Sequence, residues 1–146
     1  MPARKVIFYG SSLGGFGALC GASAAAAHAV AEVPQIDVRN WFPGAVKKIE
    51  DHIIHVPMDA YGARHPERVD VWSRFMVEAS IPSFVILTNE LDRSFQDQLS
   101  LIARVREHPR YAGEDAELVV TARTRGHQVL AKQQAVELIR RTIRDR

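Results

Sequence analysis

Apolar residues along this chain fall into short unbroken runs that alternate with stretches repeating every three to four positions, a pattern that predicts strands interleaved with helices. The first run, Val6-Ile7-Phe8-Tyr9, passes through Gly10-Ser11-Ser12-Leu13-Gly14-Gly15 into an alanine-rich segment. It reads as strand, sharp turn, helix. The helix should extend from about Gly14 to about Ala27, because alanine combines high helix propensity with close packing. His28 to Val33 is a second strand, stopped by Pro34, which cannot donate to a central ladder. Ser83 to Thr88 is a β-rich third strand introduced by Pro82, and Glu117 to Ala122 is a fourth. Between these two, Phe95, Leu99, Ile102 and Ala103 form an apolar stripe at helical spacing, with Ser94 as the cap and Pro109 and Gly113 as the stop. A last helix runs from about Gln128 to about Ile143, with Ala131, Ala135, Leu138 and Ile139 on its inner face.

From Trp41 to Ala79 the pattern is least regular, broken by Pro43-Gly44, Pro57, Gly62 and Pro66. Val69 to Ala79 is the best helix there, carried by Val69, Trp72, Phe75 or Met76, and Ala79. A cap or lid over the first turn and a surface excursion fit this segment equally well. Alternation of about four strands with helices predicts a three-layer α/β domain with a parallel sheet and right-handed crossovers.

The chain has 146 residues, 47% hydrophobic and 25% charged, enough for one domain with its own core spanning residues 1–146. Nineteen basic against 17 acidic residues leave a net charge of +2, which gives no one-signed field for a polyanion, so no nucleic-acid partner is expected. Arg140, Arg141, Arg144 and Arg146 read as a solvated helix end that complements the dipole. The single cysteine, Cys20, excludes an internal disulfide and fits a reducing cytoplasm; in the first helix it reads as a small packed residue. No run reaches transmembrane length, and the first residues lack a signal-peptide pattern.

Gly10-Ser11-Ser12-Leu13-Gly14 fits G-x-S-x-G, in which a serine on a strained strand-to-helix turn projects its hydroxyl above a parallel sheet. Glycines are needed because residues two before and two after the serine crowd each other; Gly15 and Gly17 should let the helix lie close to its neighbours. Ser12 is then the nucleophile, His127 the base, and the backbone N–H of Leu13 the oxyanion donor. Asn89-Glu90-Leu91-Asp92 follows the third strand and supplies the acid, giving the chain order Ser, Asp, His. Each residue has a plainer reading: a Gly/Ser turn, an anion-binding helix start without the P-loop lysine, a surface histidine, a helix-entry acid. Gln35, Asp37, Arg39 and Asn40 follow the second strand, where ligands usually sit in α/β sheets; Gln35 and Trp41 are the candidate substrate contacts. His52, His55, Asp59 and His65, with Asp51, match no metal motif, so neither metal nor other cofactor is expected.

With Tyr9-Gly10-Ser11-Ser12-Leu13-Gly14-Gly15-Phe16 and Ala18-Leu19, Pro34-Gln35-Ile36-Asp37, Ile81 to Leu87 leading to Asp92, and Gly126-His127, nearly the whole chain resembles the C-terminal half of an α/β-hydrolase. The elbow followed by Pro-Gln is similar to hydrolase-like proteins of bacterial surface-glycan biosynthesis and accessory secretion. The resemblance implies an O-acyl or O-acetyl ester on a sugar as substrate, and its spacing favours Asp92 over Glu90. It also implies about four further strands before the elbow, with the loop carrying the second oxyanion donor. Their absence makes the domain a partial one, with the nucleophile strand an open edge suited to self-association or a partner. Three readings follow from the same residues: an esterase, an acyltransferase using the same triad, or a non-catalytic chain, either an interaction module or an inactive fragment of a longer hydrolase.

Overall fold

Four short strands, β1 (Ile7–Ser11), β2 (His28–Glu32), β3 (Ser83–Thr88) and β4 (Ala116–Val120), pair in parallel in the order β1-β2-β3-β4. This computed structural model describes residues 6–111, 116–121 and 126–144. The polar lead 1–5, Gly113, Ala122, Thr124, Arg125 and Arg146, to which the sequence assigned places, lie outside the described residues. Ser11 stands opposite Glu32, Glu32 opposite Leu87 and Leu87 opposite Val119, so all four strands end on one edge of the sheet. That edge gathers Ser12, Val33 and Thr88.

Alternation along the strands sends Ala29, Ala31, Phe84 and Ile86 to one face. There they meet Leu19 and Ala22 of α1 (Leu13–Ala25), Val71 and Phe75 of α4 (Val71–Val77), and Leu101, Ile102 and Val105 of α5 (Phe95–Glu107). The other face carries His28, Val30 and Glu32. Leu130, two residues before α6 (Lys132–Arg144), donates to Glu32 on that face, which brings the last helix to the opposite layer. The result is a partial three-layer α/β fold. β2 is buried at every position, whereas β1, paired on one side only, is half-exposed along its length. No helix among the described residues is long and apolar enough to cross a membrane.

Several elements differ from the sequence pattern for local reasons. α4 begins at Val71 because the Asp70 carboxylate accepts from Ser73 N at 2.7 Å and caps it there, and Phe75 rather than Met76 turns inward. On α5 the buried line is Gln98, Leu101, Ile102 and Val105, while Leu99 and Ala103 face outward, so the inward stripe is rotated from the expected one and includes a polar residue. Ser94 precedes α5 without capping it through its side chain, because its hydroxyl donates to Gln35 instead. A Cβ on Gly15 would lie 2.8 Å from that of Pro34 and one on Gly21 would meet the Phe8 ring, whereas Gly17 has nothing within 4 Å. Helix-to-sheet contact therefore runs through Gly15 and Gly21. On α6, Ala135 is buried and Leu138 and Ile139 half-buried; Ala131 is exposed.

Between β2 and α4 the chain forms α2 (Pro43–Ile49), a π turn over Glu50–Ile54 and α3 (Met58–Arg64). Glu50 Oε1 accepts from Met58 N at 2.6 Å, closing the loop between them. Val38, Met58 and Val69 make a second small core with Val46, Ile49, Ile54, Tyr61 and Phe16. Phe16 lies in the first turn of α1, so this segment is packed beside the elbow.

Cys20 is partly buried in α1, and burial pushes its thiol up to about 12. Only the thiolate reacts, so folded chain at pH 8 should resist iodoacetamide while urea-unfolded chain alkylates; equal rates would contradict this packing. As pH rises, the unfolded chain releases this proton first. Its contribution to stability is therefore complete below the ordinary value of 9.0 and is lost as pH climbs toward about 12.

Candidate active site

The elbow is built from a clash that only glycine avoids. A Cβ on Gly10 would lie 2.1 Å from the carbonyl oxygen of Gly14, backbone against backbone. Ser12, between them, has φ 54° and ψ −121°, a conformation that costs a non-glycine residue about 1–3 kcal/mol and has to be held by its surroundings. Ser12 N donates to Glu32 O at 2.9 Å, and Ser12 O accepts from Gly15 N, Phe16 N and Gln35 N at 3.0, 3.2 and 3.1 Å. β2 and the Pro34-Gln35 turn thus fix the serine's backbone from below. Leu13 opens α1, where a helix's first N–H groups have no partner within the helix and carry its positive dipole end.

Asp92 and His127 meet across the loops after β3 and β4. His127 Nδ1 lies 2.7 Å from Asp92 Oδ2, and since a carboxylate is acceptor-only, the ring donates from Nδ1; in the neutral imidazole Nε2 then keeps its lone pair. The Asp92 carboxylate is fully buried, whereas the His127 side chain is 45% exposed. Asp92 Oδ1 takes two further donors, Ser94 N at 2.9 Å and Gln98 Nε2 at 3.3 Å. Asp92 therefore serves both roles its sequence position allowed, helix entry through one oxygen and histidine through the other. Glu90 is exposed.

Buried polar side chains stitch these loops together. Asn89 Nδ2 donates to Gly126 O at 2.6 Å, and a Cβ on Gly126 would lie 2.2 Å from Leu91 O, so the acid and histidine loops touch through backbone. Glu32, 1% exposed, accepts from the Tyr9 hydroxyl with one oxygen and from Leu130 N at 2.6 Å with the other. Burial and this hydrogen bond hold the Tyr9 phenol up at about 12. Because Glu32 O also receives Ser12 N, one residue connects the nucleophile turn to the chain just beyond His127. Val33 follows at φ 39°, an uncommon place for a β-branched side chain, and is held by donation to Leu87 O at 2.7 Å.

Ser12, Asp92 and His127 thus share the carboxyl edge of the sheet; Asp92 and His127 are hydrogen-bonded, and the Ser12 hydroxyl is not bonded to His127. Gln35 is buried beneath the elbow, with its Oε1 accepting from Ser94 Oγ at 3.0 Å. Trp41 is half-buried, its ring edge-on to Phe42 at 5.1 Å. Of the histidine-rich group, Asp51 pairs with Lys47 and His65 lies 3.9 Å from Glu67; no three potential ligands converge among the described residues. Glu32, Asn89 and Gln98 were missed. Their signal was polarity out of place: an acid ending an apolar strand, and a glutamine at the inward position of a helix.

A serine at a strained turn, a histidine bonded to a buried carboxylate and a helix N-terminus are groups that nucleophilic acyl transfer can use. The chain matches no protein-family model and no curated protein, so the chemical roles rest on this geometry. It makes a direct prediction for the elbow. Gly10→Ala should destabilise the fold by several kcal/mol, each lowering the melting temperature by about 2–4 °C, because no side-chain rotation relieves the clash. At Gly14 the crowding expected from the motif is absent, since a Cβ there would meet nothing within 4 Å, so Gly14→Ala should melt close to the parent; matching melting temperatures for the two variants would refute this elbow.

Proposed function

We propose that the chain is a serine-dependent hydrolase of carboxylic esters, working through an acyl-enzyme on an α/β-hydrolase scaffold. The observation that carries this reading is the arrival, on one edge of one sheet, of a serine in a strained strand-to-helix turn and a histidine oriented by a buried aspartate. Ser12 Oγ attacks the ester carbonyl while His127 Nε2 takes its proton; the collapsing intermediate expels the alcohol, which leaves with that proton. Water then repeats the sequence and releases the acid. Asp92 holds the ring tautomer and stabilises the imidazolium, and Leu13 N–H donates to the oxyanion. An O-acyl or O-acetyl group on a glycan is the substrate that the sequence resemblance favours, and a sugar hydroxyl in place of water makes the same site an acyltransferase. The lone, proton-retaining Cys20 suits a reducing, cytoplasmic setting.

The unpaired side of β1 favours a second reading, an interaction module that pairs through this edge with another copy or a partner.

Labelling with a fluorophosphonate probe separates the two. The hydrolase reading expects one adduct by intact mass, absent in Ser12→Ala, and a fall on the order of ten-thousandfold in ester turnover for Asp92→Asn through loss of the tautomer. A folded parent with no adduct would leave the interaction module as the function.

A further inference from the structure

We propose that Gln98 is a positioning residue: from α5 its side-chain amide holds the Asp92 carboxylate in line with His127 and fastens it to the turn behind Ser12. The proposal rests on the hydrolase reading and adds a residue to it.

Gln98 is fully buried in a helix face otherwise formed by Leu101, Ile102 and Val105. Nε2 donates to Pro34 O at 3.0 Å and to Asp92 Oδ1 at 3.3 Å. Pro34 lies against Gly15, and its neighbour Gln35 donates from its backbone to Ser12 O at 3.1 Å. Gln98 therefore reaches the acid with one hydrogen and the backbone supporting the nucleophile with the other. With Oδ1 held by Gln98 and Ser94 N, the carboxylate cannot rotate without breaking both bonds, and Oδ2 is kept for His127. Locking a functional side chain through its supporting hydrogen bonds is how a reactive geometry is held within tenths of an ångström.

Filling space does not account for this side chain. Gln98 Oε1 is buried and finds no partner among the described residues, whereas methionine would occupy similar volume without an amide to desolvate. What glutamine supplies and methionine does not is the pair of donated bonds.

The test uses the full chain with Gln98→Met and Gln98→Glu, the latter keeping size and polarity but turning an acceptor toward Asp92. Three readouts are taken: melting temperature, kcat and KM on a p-nitrophenyl ester, and the imidazole 15N shifts of His127, which report the protonated nitrogen. In the parent the proton is expected on Nδ1, facing Asp92. Gln98→Met should melt within a few degrees of the parent, lose about tenfold or more in kcat with KM nearly unchanged, and show mixed His127 tautomers. Gln98→Glu should lose more. Parent-like kcat and tautomer in Gln98→Met would overturn the proposal, as would an activity loss that only follows unfolding. If Gln98→Met fails to fold, the tautomer in Gln98→Glu decides: mixed supports the role, parent-like overturns it. Should the parent lack esterase activity altogether, the hydrolase reading fails while the 15N shifts still decide whether Gln98 orients the pair.

Discussion

Everything at the sheet's carboxyl edge depends on the absence of a side chain at position 10. The carbonyl of Gly14 occupies the space where a Cβ would stand, and only that approach lets the chain leave β1 and begin α1 within one residue. The reversal forces Ser12 into a backbone conformation with positive φ. A strained residue of this kind persists only where its neighbours over-determine it, and here the Ser12 carbonyl alone receives three donors. The same turn aims the N-terminus of α1 at the space above the serine, so strain, hydroxyl and dipole arise from one steric fact.

The acid and base are organised by a different principle. Neither lies on a regular element; each sits in a loop, where precision has to come from hydrogen bonds. Asp92 spends one oxygen on Ser94 and Gln98 and the other on His127, and the backbone of Gly126 is pressed against Leu91 while bonded to Asn89. A buried carboxylate is costly unless its lone pairs are satisfied, so this network both stabilises the charge and fixes its direction. The His127 side chain stays open to solvent.

Much of this was legible in the residues. Unbroken apolar runs marked all four strands, and G-x-S-x-G marked the elbow because the steric demand at Gly10 is local, met by the backbone of Gly14 four residues on. Asp92 and Gly126-His127 were readable as positions after strands. What was not readable is any tie that depends on rotation about a helix axis or on pairing between distant loops. Periodicity on α5 pointed to Phe95 and Leu99, yet Gln98 faces inward with Leu101, Ile102 and Val105 and makes two hydrogen bonds there. Glu32 escaped notice for the same reason: its partners, Tyr9 and Leu130, are 23 and 98 residues away.

These ties matter more here because β1 both leads into the strained Ser12 turn and forms an edge of the sheet. A central strand is held by ladders on both sides; β1 has one, to β2, and is half-exposed along its length. An edge strand bearing a strained turn would be expected to relax toward solvent. Two bonds from one residue oppose that movement: Glu32 holds the Ser12 amide through its carbonyl and the Tyr9 hydroxyl through its carboxylate, gripping β1 at the elbow and two residues before its end. The same carboxylate reaches Leu130. One buried residue thus ties β1, the Ser12 turn and the segment just beyond His127 to the same strand.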